Sequence, residues 1–475
     1  MDIAIIGGGA AAVALLDALA TARDAEPGTV TVFEPSPHLW RGRPYGPDLD
    51  AVLVNAPPGL MSVRYGDLGH YAAWLGERGA AHLAPLLGQP LAPRALYGHY
   101  LVHTAEKAVA ALEESGRRVR IEAARITGAT RSGGRLALRG ADGRTYTATH
   151  LALCVGSGTP PDLYGLAGSP GYTADPYPLS GTLEAVRVTD DVAVIGSGLT
   201  AVDVVVSLAA RGHTGRIALL SRSGLLPHVW QRPLDRRPRH LTVERVTELH
   251  QRRSGSLTLD DLCGLLHAEL DDGDEDFDVL AAELTAAGTE APAQWLRGQL
   301  AAVDDPRTGR RMLQEAAHAV GPYAWRLLPE ADRTRLRKHS RLAVSAAAPM
   351  VPVNAATLMR LMDSGQLSVV PGLRSINRAN GSFRVHTTQG TERTADVVVN
   401  AVNPPPHAVP DAARQLVHSL TTAGLTAPHP GGGLLPADPR VHVVGDLTGG
   451  GSFITAGITG VGAQAQRVAE ALRNG

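Results

Sequence analysis

The tightest constraint on what this chain can fold into is a strand–turn–helix pattern that occurs twice. At the N-terminus, Asp2-Ile3-Ala4-Ile5-Ile6 is too short and too β-branched for a helix. It runs into Gly7-Gly8-Gly9 and then into an alanine-rich stretch from Ala10 to Leu16. Gly7, Gly9 and Ala12 fill the G-x-G-x-x-G/A positions of a dinucleotide-binding turn. There the first glycine permits the tight turn and the second lets backbone approach a pyrophosphate, while a small third residue lets helix pack on strand. The pyrophosphate then meets a helix N-terminus, where free N–H groups and the dipole favour negative charge. The next expected strand, Thr29–Phe33, ends in Glu34, placed as an adenosine-ribose hydroxyl requires. The pattern returns at Asp191–Ile195, followed by Gly196, Gly198, Thr200 and Ala201. Here the following strand ends in Ser221-Arg222-Ser223 and not in an acid. An acid would bind the 2′-hydroxyl of NAD, whereas a hydroxyl and a guanidinium suit a 2′-phosphate. The expectation is NADPH, with Ser221 and Arg222 as its selectors; a solvated loop arginine is the plain alternative.

A chain of 475 residues has room for two or three domains with substantial cores. Its net charge of −1 creates no field that would recruit nucleic acid or an anionic membrane. No stretch approaches the roughly 18 apolar residues of a membrane span. The first strand begins at residue 2, leaving no room for a signal peptide, so a cytoplasmic location is expected. Cys154 and Cys263 are far apart with no C-x-x-C, which excludes a disulfide scaffold, a cysteine zinc cluster and an adjacent redox dithiol. His228, His240 and His250 match no standard ligand spacing and read as solvated, so no metal is expected.

The rest of the chain organises around the two turns. A Pro- and Gly-punctuated loop carries Arg41 and Arg43, and Val52–Asn55 reads as a short strand breaking into the turn before Met61. A helix opens at Arg94, and residues 119–150 alternate as a β-meander. The buried strand at 151–155 ends in Gly156, the crossing point back to the first nucleotide domain. Apolar residues at helical spacing between about 241 and 337 indicate an inserted set of short helices; the acidic run at 271–276 reads as a solvated loop. A late strand at 441–444 runs into Gly445-Asp446 and a glycine-rich loop before a final helix.

This arrangement resembles the two-dinucleotide-binding-domain flavoproteins. More closely, it is similar to the bacterial FAD-NAD(P)-binding group related to flavin-dependent N-hydroxylating monooxygenases. The segments that carry the likeness are 41–46 (RGRPYG), 53–57 (LVNAP), Met61-Ser62, 93–100 (PRALYGHY) and 196–203 (GSGLTAVD). The chain departs from that group at 343–349 (AVSAAAP), where a polar run is expected. The resemblance implies an α/β fold of two Rossmann-like dinucleotide-binding domains, FAD first and NADPH second, with a helical insertion. The expected division is 1–165 for the first part of the FAD domain and 166–240 for the first part of the NADPH domain. The insertion takes 241–340, the NADPH-domain return with linking strands takes 341–395, and the C-terminal part of the FAD domain takes 396–475.

The resemblance further implies that Gly445, Asp446, Thr455 and Ala456 return to the FAD. Asn55 is the candidate catalytic residue, a hydrogen-bonder at the flavin edge, although an Asn before two prolines also forms turns. Arg41, Met61 and Gly156 are assigned, with Asn55, to the cofactor. Arg43, Arg64 and Arg94 are assigned to a substrate carboxylate, with pyrophosphate or ordinary ion pairs as the alternatives. The implied activity is oxygenation of a small-molecule heteroatom through a C4a-(hydro)peroxyflavin, with O2 as co-substrate. N-hydroxylation of an amino-acid-like amine is the specific expectation. An NAD(P)H:acceptor reductase without oxygen insertion, or a non-catalytic flavin-binding protein, are the competing readings. A homo-oligomer is left open.

Overall fold

The computed structural model describes residues 1–21, 27–234, 238–450 and 457–474. Its frame is two five-stranded parallel sheets. The first has Asp2–Ile6 at its centre, flanked by Thr29–Phe33 and then Arg118–Glu122 on one side. His150–Leu153 and then Val441–Val443 flank it on the other. The two-residue alternation of each strand sends side chains to opposite faces, and both faces are covered. Ile3, Ile5, Val30 and Val32 pack beneath helices Ala10–Thr21, Arg94–Glu114 and Ile458–Asn474. Ala4, Ile6, Leu151 and Leu153 face the opposite way, onto an antiparallel sheet of Ile126–Ser132, Arg135–Gly140 and Thr145–Ala148 and onto helix Arg414–Thr422.

The second sheet repeats this plan. Its order is Tyr172–Thr173, Val397–Asn400, Val192–Ile195, Ile217–Leu220, Leu367–Val370, all parallel. Val192, Val194, Ile217 and Leu219 pack against helices Leu199–Ala210, Pro292–Ala301 and Pro352–Asp363. Ala193, Ile195 and Val398 pack against the antiparallel strands Leu373–Ala379, Ser382–Thr387 and Glu392–Ala395. The fold is α/β with two Rossmann-like units, as the glycine turns require.

Three details differ from the sequence reading. Arg118–Glu122 is not part of the meander but the edge strand of the first parallel sheet. Residues 52–55 form only an isolated bridge, Leu53 with Pro93. Val397–Asn400, assigned above to the FAD domain, lies inside the second sheet beside Val192–Ile195, so the chain re-enters the first sheet only at Val441.

Eight helices lie between Val243 and Ala347 among the described residues; Val246, Leu257, Val320, Trp325 and Leu328 form a small core among four of them, Val243–Arg252, Leu259–Asp271, Gly321–Leu327 and Glu330–Lys338. The acidic loop before Phe277 is not merely solvated. Glu275 accepts hydrogen bonds from the Thr308 and Gly309 amides, satisfying free donors at the start of helix Gly309–Ala319, and Asp276 caps helix Phe277–Ala286. His228 is likewise not solvated. It is fully buried, with Nδ1 2.9 Å from the Ser345 hydroxyl and its ring edge-on to Trp295.

Candidate functional site

The first glycine turn is built so that only glycine fits. Gly7 has φ +100°, and a Cβ there would lie 2.3 Å from the Cys154 carbonyl oxygen. The Gly8 amide donates to Glu34 Oε2 (2.8 Å) and the Ser36 amide to Oε1 (2.9 Å), which fixes the carboxylate at the end of its strand beside the turn. The Gly8 carbonyl accepts from the Trp40 amide, folding the 38–42 loop back over the turn. Gly42 then approaches Gly9 closely: a Cβ on Gly9 would sit 3.5 Å from the Gly42 Cα. Ala12 is fully buried against the strand, as the fingerprint demands. Arg41 is half-buried in the folded-back loop, and no protein group pairs with its guanidinium among the described residues.

The C-terminal strand brings its own loop to the same sheet edge. Gly445 has φ +98° and sits over Ala11, its amide donating to Gln464 Oε1 at 2.6 Å. Burial pushes the neighbouring Asp446 carboxyl above the usual range, against the pull of His407, whose ring also bonds the Asp446 carbonyl (2.6 Å). Gly156, at φ +78°, has open space where a side chain would be. Thr455 and Ala456 lie outside the described residues. Cys154 is inert here: burial pushes its thiol up to about 12.

Asn55 stands where the first domain meets the segment that leads into the insertion. Its carbonyl accepts from Trp230 Nε1 (2.7 Å), while its side-chain Oδ1 is buried with no partner. Buried polar atoms are almost always paired, so this oxygen is an acceptor with capacity to spare. Met61 is buried close by in the same core, its carbonyl bonded by Tyr97. Trp230 stacks on His318 with ring centroids 6.1 Å apart. His318 Nε2 donates to the Ala347 carbonyl (2.7 Å), and burial lowers its pKa, so the ring is neutral. A Cβ on Gly457 would lie 3.6 Å from His318 Nδ1, which places this ring beside the start of the last helix. Trp325 Nε1 donates to the Gly450 carbonyl at 2.8 Å. The sequence reading missed Trp230, His318 and Trp325, because single rings outside any motif carry no signal.

The second turn repeats the first. Gly196 has φ +121°, and a Cβ there would lie 2.9 Å from the Ala401 carbonyl. Gly198 begins helix Leu199–Ala210 with nothing within 4 Å of its would-be side chain. Ala201 is fully buried, and Thr200 Oγ1 lies 3.0 Å from Asn403 Oδ1. Ser221 Oγ accepts from the Gly224 amide (2.8 Å) and lies 3.1 Å from Ser197 Oγ, leaving its own proton to donate. Arg222 is exposed, with no ion-pair partner among the described residues.

The three arginines assigned to a substrate carboxylate are committed elsewhere. Arg64 forms a two-pronged pair with Asp17 (2.7 and 3.0 Å). Arg43 pairs with Asp175, and Arg94 with fully buried Asp203 at 2.6 Å while also donating to the Leu53 carbonyl and Tyr177. Arg94 belongs to the first domain and Asp203 to the second, so this buried pair is a strut between them. Asp48, which accepts from the Leu179 and Ser180 amides, is another such tie. Each guanidinium thus already faces an internal carboxylate, while Nη1 of Arg43 and of Arg64 has no protein partner among the described residues.

The residues present fit a flavin dinucleotide and a nicotinamide dinucleotide: two open glycine cradles, an unpaired Arg41, an orphaned Asn55 oxygen and a free Arg222. Comparison with known proteins agrees. Residues 4–158 match the family model described as FAD-NAD(P)-binding. Sequence comparison with curated proteins returns no match. Among solved structures, the chain is similar to L-lysine 6-monooxygenase from Pseudomonas syringae, with TM-score 0.60 and 16% identity over 100% of this chain and 99% of that one. The cadaverine monooxygenase of desferrioxamine biosynthesis from Erwinia amylovora, solved with FAD, gives 0.59 and 12% over 100% and 94%. Ornithine N-hydroxylase from Kutzneria sp. 744 gives 0.53 and 13% over 100% and 99%. At these identities the likeness is one of fold, that of the two-dinucleotide-binding-domain flavoproteins.

Proposed function

With that flavoprotein fold as the premise, we propose that the chain is an NADPH-dependent flavin monooxygenase that hydroxylates the nitrogen of a small amine. The supporting observation is the buried, unpartnered Asn55 Oδ1 where the first domain meets Trp230. FAD would lie along the Gly7–Gly9 turn, its pyrophosphate at the N-terminus of helix Ala10–Thr21 and facing Arg41, its ribose on Glu34. Gly445 and Asp446 would meet the remainder of the cofactor, and NADPH would lie along Gly196–Ala201 with its 2′-phosphate on Ser221 and Arg222. Bound flavin, supplied with electrons by NADPH, provides the chemistry that splits O2, one oxygen atom going to the amine and the other to water.

The chain's own residues bind, orient and exclude water. Asn55 Oδ1 accepts a hydrogen bond from the group it faces. Neutral His318, held by its Nε2–H on Ala347, brings no charge to the site. Trp325 ties the insertion to Gly450 and Trp230 holds Asn55, closing water out where uncoupled oxygen reduction would otherwise waste NADPH. No nucleophile–base pair is needed, and none has been assigned. The test is a stoichiometry: NADPH oxidation, O2 uptake and hydroxylamine formation measured together with a panel of small amines. Equal amounts of all three support the reading. NADPH-driven reduction of a dye or ferredoxin with no oxygenated product from any amine would make the chain a reductase instead. A purified protein that binds neither FAD nor NADPH would end both.

A further inference from the structure

The helix Gly309–Ala319 carries a polar side chain that the flavin chemistry does not use. Arg310 is 2% exposed; its Nη1 donates to Glu283 (2.7 Å) and Gln299 (2.6 Å), but Nε and Nη2 have no partner. It lines a cavity of about 280 Å³ beside the acidic loop. Gln231, 4% exposed, lines the same cavity; its Nε2 donates to the Ala302 carbonyl and its Oε1 is unpartnered. Two idle guanidinium donors and one idle carboxamide acceptor around one space are not explained by packing, because buried polar atoms are nearly always paired. Burial also works against the Arg310 charge and lowers its pKa, so any acceptor entering the cavity meets a donor that lacks one.

The rest of the lining selects what can enter. Exposed Asp274 and Asp276 stand on the solvent side, with Glu283 between them and Arg310. Glu275 and Arg307 also line the space but are spoken for, the first by Thr308 and Gly309, the second by Asp305. Four carboxylates thus oppose two guanidiniums, and a bare anion would be repelled on its way in. A ligand with an anionic end inward and a cationic end outward satisfies both ends.

We propose that this cavity binds a small zwitterion, its carboxylate on Arg310 Nε and Nη2 and its ammonium toward Asp274, Asp276 and Glu283. Gln231 Oε1 accepts from an N–H or O–H of the same ligand. The site stands on side chains of the insertion and on Gln231 just ahead of it, and does not depend on the flavin reading, because binding is read as heat and not as turnover.

The experiment is calorimetric titration of the purified full-length protein with 3-aminopropanoate, 4-aminobutanoate and 5-aminopentanoate, and with pentanoate and pentylamine as single-charge controls. At least one amino acid should bind about tenfold or more tightly than both controls. Arg310→Lys, which keeps the charge and loses the two-pronged geometry, should weaken that ligand about tenfold, and Gln231→Leu severalfold, with the melting temperature recorded for each variant. Controls that bind as well as the amino acids, no binding by any of them, or affinity unchanged in both variants would overturn the proposal. Should Arg310→Lys fail to fold, the wild-type ranking and Gln231→Leu decide it.

Discussion

A methyl group at position 7 has nowhere to go, since its carbon would lie 2.3 Å from a backbone oxygen in a conformation with φ +100°. Gly7→Ala should therefore yield protein with little bound flavin and a lowered melting temperature; a normal flavin-to-protein absorbance ratio would show that the turn is not where the cofactor lies. Asn55, proposed to face the flavin, is a different kind of residue, one whose loss is expected to cost chemistry and not folding. Its side-chain oxygen makes no bond within the protein, so Asn55→Leu loses only the ligand contact. We expect about 1–2 kcal/mol less transition-state stabilisation, a roughly tenfold fall in kcat, with flavin content unchanged. An unaltered kcat would place Asn55 away from the reacting edge. Arg94 makes the opposite case. Breaking its pair with fully buried Asp203 leaves a carboxyl that burial already disfavours, so Arg94→Met should cost about 3–5 kcal/mol of stability in denaturant unfolding. A substrate-clamping arginine would instead raise KM and leave the unfolding midpoint alone.

The elements divide into those whose signals are local and those whose partners are distant. Both strand–glycine–helix units were legible because a turn requiring positive φ, a β-branched run before it and an apolar helix after it all lie within fifteen or so residues. Arg118–Glu122 escaped recognition as a parallel strand because it is a half-exposed edge strand, with only Val119 and Glu122 partly covered, and its polar sequence resembles a meander. Val397–Asn400 was readable as a buried strand, but nothing in VVVN says which of two parallel sheets it joins. The ion pairs of Arg43 and Arg94 were illegible for the same reason, since Asp175 and Asp203 lie far along the chain and only the folded structure brings them into contact. The insertion's part in the site was illegible too, because it rests on indole and imidazole contacts made across domains. One of these can be tested directly. Trp325→Phe keeps the ring and removes the donor to the Gly450 carbonyl, a bond worth about 1 kcal/mol net. Flavin should leave the variant severalfold faster, followed as fluorescence recovered on dilution; an unchanged release rate would mean the insertion does not secure that loop.

At the scale of the whole molecule, two sheets of equal plan are held together by Arg43–Asp175, Arg94–Asp203 and the Asp48 tie, and stability carries the imprint of buried histidine. His228 is pushed down to about 4 by burial, with the Arg310 charge adding to the effect. In the unfolded chain it titrates near 6.5. Above that pH neither state is protonated and the native packing of His228 is fully retained. Between about 6.5 and 4 the unfolded state takes up a proton that the folded state refuses, and up to about 3 kcal/mol is lost. Urea midpoints should therefore fall as pH drops through this window, and His228→Gln should flatten the fall; an equally steep decline in the variant would assign it to other groups. The strand order of the first sheet has a further consequence, one of timing. Val441–Val443 pairs with His150–Leu153, and Gly445 and Asp446 follow directly behind it. A chain still being made on a ribosome reaches that strand only after the whole second domain and insertion have emerged. Until then the first domain waits with one bare edge and an unfinished cradle. With Gly445 and Asp446 completing the cradle as proposed, nascent chains arrested before Val441 should carry no flavin. A cell short of flavin would accumulate complete chains, not stalled ones.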